Sequence, residues 1–130
     1  MIIDTSAVMA VLTGEPGAER LLRALASGHC RMSAATWLEL SIVADARSAA
    51  HGQRLDQVLA GLEVEVVPVD LAQAQVARAA YQRFGRGSGS KARLNYGDCF
   101  AYALAITSGE PLLFVGDDFA HTDVARPVTD

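Results

Sequence analysis

The 130-residue chain holds a single lysine, Lys91. Chemistry that needs a lysine nucleophile or a lysine-rich patch therefore has one candidate position. Cysteine is nearly as scarce. Cys30 and Cys99 stand alone, with no CxxC partner, which excludes a disulfide scaffold and a thiolate zinc site. His29, His51 and His121 are scattered and show no HExxH spacing. There is no GxSxG nucleophile elbow. The stretch Gly85-Arg86-Gly87-Ser88-Gly89-Ser90-Lys91 lacks the GxxxxGK[ST] form of a phosphate loop, and no strand precedes it. No apolar run reaches the roughly 18 residues of a membrane span, and Met1-Ile2-Ile3-Asp4 carries no basic leader region. A cytoplasmic protein with no membrane contact is expected. Basic charge is also short. Eleven Lys and Arg against 15 Asp and Glu leave a net charge of −4, which argues against a protein held to nucleic acid by overall charge.

What is abundant is alanine and apolar side chain. Hydrophobic residues make up 51% of the chain, enough for one domain over residues 1–130 with a core of its own. Met1–Ile3 has the short apolar run of a buried strand. Asp4, Thr5 and Ser6 are three candidate caps for a helix over Ala7–Leu12. Helical spacing resumes over Ala18–Leu25. Cys30–Met32 reads as a second strand, followed by a Ser33-capped helix through Ala46 and a further helix over Arg54–Leu62. Val-rich alternation predicts a strand within Glu63–Val69. Asp70 caps a helix over Leu71–Phe84, and the flexible Gly85–Lys91 stretch leads to an Asn95-capped helix from Tyr96 to about Thr107. Pro111–Val115 is the last strand, before a helical turn near Phe119–Asp123. Strands alternating with helices imply an α/β fold: a three-layer α/β/α sandwich around a short parallel sheet of four or five strands.

The acids fall at informative places. Asp4 follows the first strand, and Asp117-Asp118 follow the last, where open parallel sheets gather their ligands. Glu39 has Ala35, Ile42 and Val43 as its helical neighbours, so its charge projects beside an apolar stripe and needs a partner. Asp98 sits in the first turn of its helix, at the positive end of the dipole. Each position has a plainer reading. Asp4 is a helix cap, Asp98 is the acid of a capping box with Asn95, Glu39 pairs with an arginine, and Asp117-Asp118 form a polar turn. Together they describe an oxygen-only pocket suited to Mg²⁺ or Mn²⁺. Basic residues collect around the glycine stretch, at Arg78, Arg83, Arg86, Lys91 and Arg93. This is either a solvated helix end or a loop that contacts phosphates, with Arg86, Lys91 and Arg93 as the RNA-contact candidates.

Over its whole length the sequence resembles VapC-type PIN-domain ribonuclease toxins of bacterial toxin–antitoxin pairs. The resemblance rests on Ile3-Asp4-Thr5-Ser6-Ala7, on Glu39, on Arg93-Leu94-Asn95-Tyr96-Gly97-Asp98-Cys99-Phe100-Ala101, and on Leu112-Leu113-Phe114-Val115-Gly116-Asp117-Asp118-Phe119 with Thr122-Asp123. It implies a PIN-like fold and catalytic acids at Asp4, Glu39, Asp98 and Asp117. Asp4, Asp98 and Asp117 would be metal ligands, with Asp118 as the alternative fourth acid, and Thr5 and Ser6 supporting hydroxyls. Relatives commonly carry Lys where this chain has Val115. The resemblance further implies a Mg²⁺- or Mn²⁺-dependent endoribonuclease that cleaves phosphodiester bonds of tRNA or rRNA. A cognate antitoxin would inhibit it, and the toxin would form a homodimer.

Two other readings compete. An aspartyl-phosphate phosphotransfer domain also gathers acids at strand ends, but it needs a well-placed lysine, and Lys91 lies in the glycine stretch. A catalytically silent PIN-fold binding module would not need intact acids. The apolar Ala7–Leu12 segment and the Trp37 helix are expected to offer more apolar surface than one core requires, suited to an antitoxin helix and a dimer contact.

Overall fold

The computed structural model describes residues 1–128, so the last two positions of the expected 1–130 domain lie outside the described residues. Four strands, β1 (Ile2–Ile3), β2 (Arg31–Ser33), β3 (Glu65–Val67) and β4 (Leu112–Leu113), form one sheet in the order β3-β2-β1-β4. All three pairings are parallel. Six helices alternate with them: α1 (Thr5–Leu12), α2 (Ala18–Ala26), α3 (Ala34–Arg47), α4 (Ala49–Gly61), α5 (Leu71–Phe84) and α6 (Tyr96–Ser108).

The pleat sorts the core into two layers, because successive strand residues face opposite sides. Ile2 and Leu112 pack with Ala77, Phe84, Tyr102 and Leu104 of α5 and α6. Ile3, Met32 and Leu113 pack with Val8, Leu25, Leu40 and Leu55 of α1 to α4. This is the three-layer sandwich the sequence implies, with four strands in its sheet. The chain runs outward from β1 to β3 and then returns to place β4 on the far side of β1. The order therefore reverses between β1 and β4. A crevice opens at such a point beyond the carboxyl ends of the strands.

Several features depart from the sequence expectations, among them the last strand, which is Leu112–Leu113 rather than Pro111–Val115. Helix α4 starts at Ala49, earlier than Arg54, because Ser48 caps it by accepting the His51 amide at 3.1 Å. Strand β3 is shorter than Glu63–Val69. Leu62 caps α4 before it, and Pro68, which has no amide hydrogen, follows it. The Gly85–Lys91 stretch is no loose linker. Arg86 donates to the Leu94 carbonyl at 3.1 Å, Leu94 donates to that of Phe84 at 2.9 Å, and Ser88 and Ser90 tie the turn between them. Finally, the apolar residues of α1 are core rather than docking surface, since Ala7, Val8, Ala10, Val11 and Leu12 are all buried. On α3, by contrast, Trp37, Leu38, Ile42 and Val43 are exposed.

Candidate active site

Strand β1 delivers Asp4 to the crevice as the N-cap of α1. Its Oδ2 accepts the Ser6 amide at 3.0 Å and the Ser6 hydroxyl at 2.7 Å. The same Ser6 oxygen accepts the Val115 amide at 3.0 Å, which ties the segment after β4 to the start of α1. Thr5 reaches the other way, donating its hydroxyl to Glu39 Oε1 at 2.9 Å. Two consecutive hydroxyls thus fasten segments from α3 and β4 around Asp4. The residue at position 115 enters this link through its backbone, so Val115 in place of the relatives' Lys leaves the link intact.

Asp98 comes from the first turn of α6. It completes a reciprocal capping box, in which Asn95 Oδ1 accepts the Asp98 amide at 2.8 Å and Asp98 Oδ2 accepts the Asn95 amide at 3.0 Å. The plainer readings of Asp4 and Asp98 are therefore correct as far as they go: both acids cap helices. Glu39 lies against the same turn of α6. A Cβ on Gly97 would overlap the Glu39 carboxylate, so only glycine lets that group lie so close to the helix. Sequence reasoning assigned Gly97 no role. A glycine beside a candidate ligand in a helix's first turn was the one available signal.

The electrostatics show which charges face one another. Burial, first of all, holds the Asp4 carboxyl above its ordinary value; the Ser6 hydrogen bonds pull it back and Glu39 pushes it further up. Asp98 is pushed up to about 6, chiefly by burial, then by repulsion from Asp4, Asp118 and Glu39, against the lowering effect of the Asn95 amide. Asp118, rather than Asp117, is the neighbour that acts on Asp98. Its side chain makes no capping bond to the 3-10 turn Phe119–His121 that follows it. Both residues are exposed.

Among the described residues none of these five carboxylates forms an ion pair, with Lys91 or any other cation. Nor do any three lie close enough to make a ready-made metal site among the described residues. Like charges repel, while the caps and the Thr5 and Ser6 hydroxyls hold Asp4, Glu39 and Asp98 in place. An unpaired, oxygen-only set with one member, Asp4, 5% exposed fits a hard divalent cation and suits no soft one. Arg86, Lys91 and Arg93 are exposed on the loop that leads into α6.

The chain is similar to known proteins over nearly its whole length. A model of the PIN domain family matches residues 1–125. The ribonuclease VapC30 of Mycobacterium tuberculosis is 51% identical over 127 residues, covering 96% of each chain. Two solved structures share the fold. One is VapC20 of M. tuberculosis, described as a sarcin-ricin loop cleaving toxin, with a TM-score of 0.74 at 18% identity, covering 97% of this chain and 98% of that one. The other is a toxin–antitoxin complex from Klebsiella pneumoniae, with a TM-score of 0.72 at 20% identity, covering 94% and 92%. With half its residues shared with a VapC ribonuclease and its whole sheet inside the family match, the chain belongs to the PIN-domain family, in its VapC ribonuclease branch.

Proposed function

We propose that the chain is the toxin of a toxin–antitoxin pair and a cytoplasmic Mg²⁺- or Mn²⁺-dependent endoribonuclease that acts as a single PIN domain. The observation that carries this reading is the unpaired carboxylate set of Asp4, Glu39, Asp98 and Asp118 at the β1/β4 crevice. Asp4 and Asp98 are the primary ligands, and Glu39 and Asp118 complete the pocket. Asp118 takes the place that the resemblance favoured for Asp117, because its charge is among those that raise Asp98. A bound divalent cation supplies charge against the attacked phosphate and acidifies water.

The chain's own residues do the positioning. Ser6 aims Asp4 and anchors the Asp118 segment, Thr5 aims Glu39, and Gly97 lets Glu39 approach α6. Arg86, Lys91 and Arg93 hold flanking phosphates of the RNA. In-line attack by water leaves a 5′-phosphate and a 3′-hydroxyl. The target class is tRNA or rRNA, recognised by shape and unpaired loops. A cognate antitoxin is the inhibiting partner. The exposed α3 face of Trp37, Leu38, Ile42 and Val43 is the surface for a second copy of the chain.

Sequencing RNA ends after induced expression tests the reading. Wild type is expected to give discrete 5′-phosphate ends, and Asp98→Asn and Asp4→Asn to give none while melting cooperatively. Full cleavage by purified Asp4→Asn protein would contradict the assignment.

A further inference from the structure

Beside the acids, between α5 and α6, lies a cleft of about 540 Å³ that the catalytic reading leaves unused. Arg78, Tyr81 and Gln82 line it from α5, and Tyr96 and Phe100 from α6. Its most exposed aromatic is Tyr96, at 78%. That ring meets Phe100 edge to face, with centroids 4.9 Å apart and planes at 85°. An exposed aromatic pair at the mouth of an apolar cleft is a contact surface rather than a scattered apolar residue. We propose that this cleft is the subsite for an unpaired nucleobase next to the cleaved phosphodiester, with Tyr96 as its stacking platform. The inference rests on the ribonuclease reading above and adds where the substrate's bases go.

Three observations favour RNA over another occupant. No carboxylate lines the cleft, although 15 of the chain's residues are acidic. Its charged member is Arg78, and the loop that joins α5 to α6 carries Arg86, Lys91 and Arg93, all exposed. The cleft also reaches the helix start that carries Asp98. Tyr96 and Asp98 share one helical turn, about 3 Å apart along the axis. Side chains two apart on a helix point to different faces, so the strand would pass around the N-terminal end of α6 to set a base on Tyr96 and a phosphate at Asp98. Flat rings beside cations are what single-stranded RNA requires, because every base has a face to stack and every linkage a charge. Stacking tolerates any base, so Gln82 and the Tyr81 hydroxyl are the groups that can read an edge.

The test is binding of a fluorescein-labelled, random-sequence RNA octamer and of an abasic ribose-phosphate octamer of equal length, in Ca²⁺ buffer. Wild type is expected to bind the base-bearing octamer roughly tenfold more tightly. Tyr96→Ala should lose that preference and Tyr96→Phe keep it. Arg78→Gln should weaken both octamers alike and flatten the salt dependence. An unchanged preference in Tyr96→Ala would overturn the proposal. So would equal binding of both octamers by wild type, failure to bind either, or a dimer-to-monomer shift of Tyr96→Ala on sedimentation, which would assign the cleft to a second copy. Mapped cleavage by wild type against Asp98→Asn separates the two claims. Without cleavage the ribonuclease reading fails, whereas with cleavage and an insensitive Tyr96 only the base subsite does.

Discussion

Asp4 and Asp98 each satisfy backbone donors at a helix start and also face other acids. The capping bonds explain how carboxylates raised by burial and repulsion stay in place: each is fixed by amides that would otherwise lack partners. Both were legible from the sequence as acids beside strand ends and helix starts, as was Glu39 on its apolar stripe. Between Asp117 and Asp118 the resemblance favoured Asp117, whereas Asp118 is among the charges that raise Asp98; neighbours in a turn differ only in which way the turn aims them. Gly97 was harder to see, because its position beside Asp98 was the one local signal and its contact with Glu39 is tertiary. Its role gives a sharp expectation. Gly97→Ala places a Cβ against the Glu39 carboxylate, the far end of a flexible side chain, so Glu39 moves and the fold survives. Alanine is the better helix former by about 1 kcal/mol, so the melting temperature should hold or rise. Cleavage should fall by at least about tenfold, since small misplacements near the chemistry are costly. A kinetic assay of the purified variant beside its melting curve decides the matter; undiminished cleavage would remove Glu39 from the pocket.

At the scale of elements, the caps at Ser33, Asp70 and Asn95 stand where the sequence puts them, because a short polar side chain before an apolar helical run has a local physical meaning. The first turn of α4 before Arg54 contains Gly52. In isolation a glycine argues against a helix, yet this one is buried, and a Cβ there would overlap the Asp45 side chain of α3. The requirement is tertiary and leaves no local trace. After α4, Glu63 adopts φ +52°, the left-handed conformation that normally ends a helix with glycine. Glu63 is exposed, so Glu63→Gly should relieve the strain with no packing lost. It should raise stability by about 1 kcal/mol, read as a higher urea midpoint with an unchanged slope.

Across the whole molecule, the two edges of the sheet treat charge differently. At the amino edge of the strands the acids are paired. Arg31 donates to Glu110 at 2.6 Å and to Glu65 at 3.1 Å, and the Met1 ammonium meets Glu110 at 3.1 Å. At the carboxyl edge no described ion pair offsets Asp4, Glu39, Asp98, Asp117 or Asp118. Setting those five aside leaves ten acids against 11 bases. The acidic excess that first argued against nucleic acid is therefore concentrated in the site proposed to hold the cation, and the rest of the chain is nearly neutral.

This concentration couples the site to folding. Asp98 titrates near 6 in the folded chain, against 3.8 for an ordinary aspartate. Between those values the folded form binds the proton more strongly, so its contribution to stability is present at low pH and lost as pH rises through 6. A cation that binds only the folded form acts in the opposite sense, stabilising at pH 7 and competing with protons below 6. The most direct measurement is the melting temperature of wild type and Asp98→Asn between pH 5 and 7.5, in chelator and in Mn²⁺. In chelator, Asp98→Asn should be the more stable at pH 7.5, with the difference closing toward pH 5. Mn²⁺ should raise the wild-type melting temperature at pH 7.5, do so progressively less toward pH 5, and leave Asp98→Asn nearly unmoved. A wild type indifferent to Mn²⁺ across that range, or an Asp98→Asn protein stabilised by Mn²⁺ as strongly as wild type, would contradict a cation site built on Asp98.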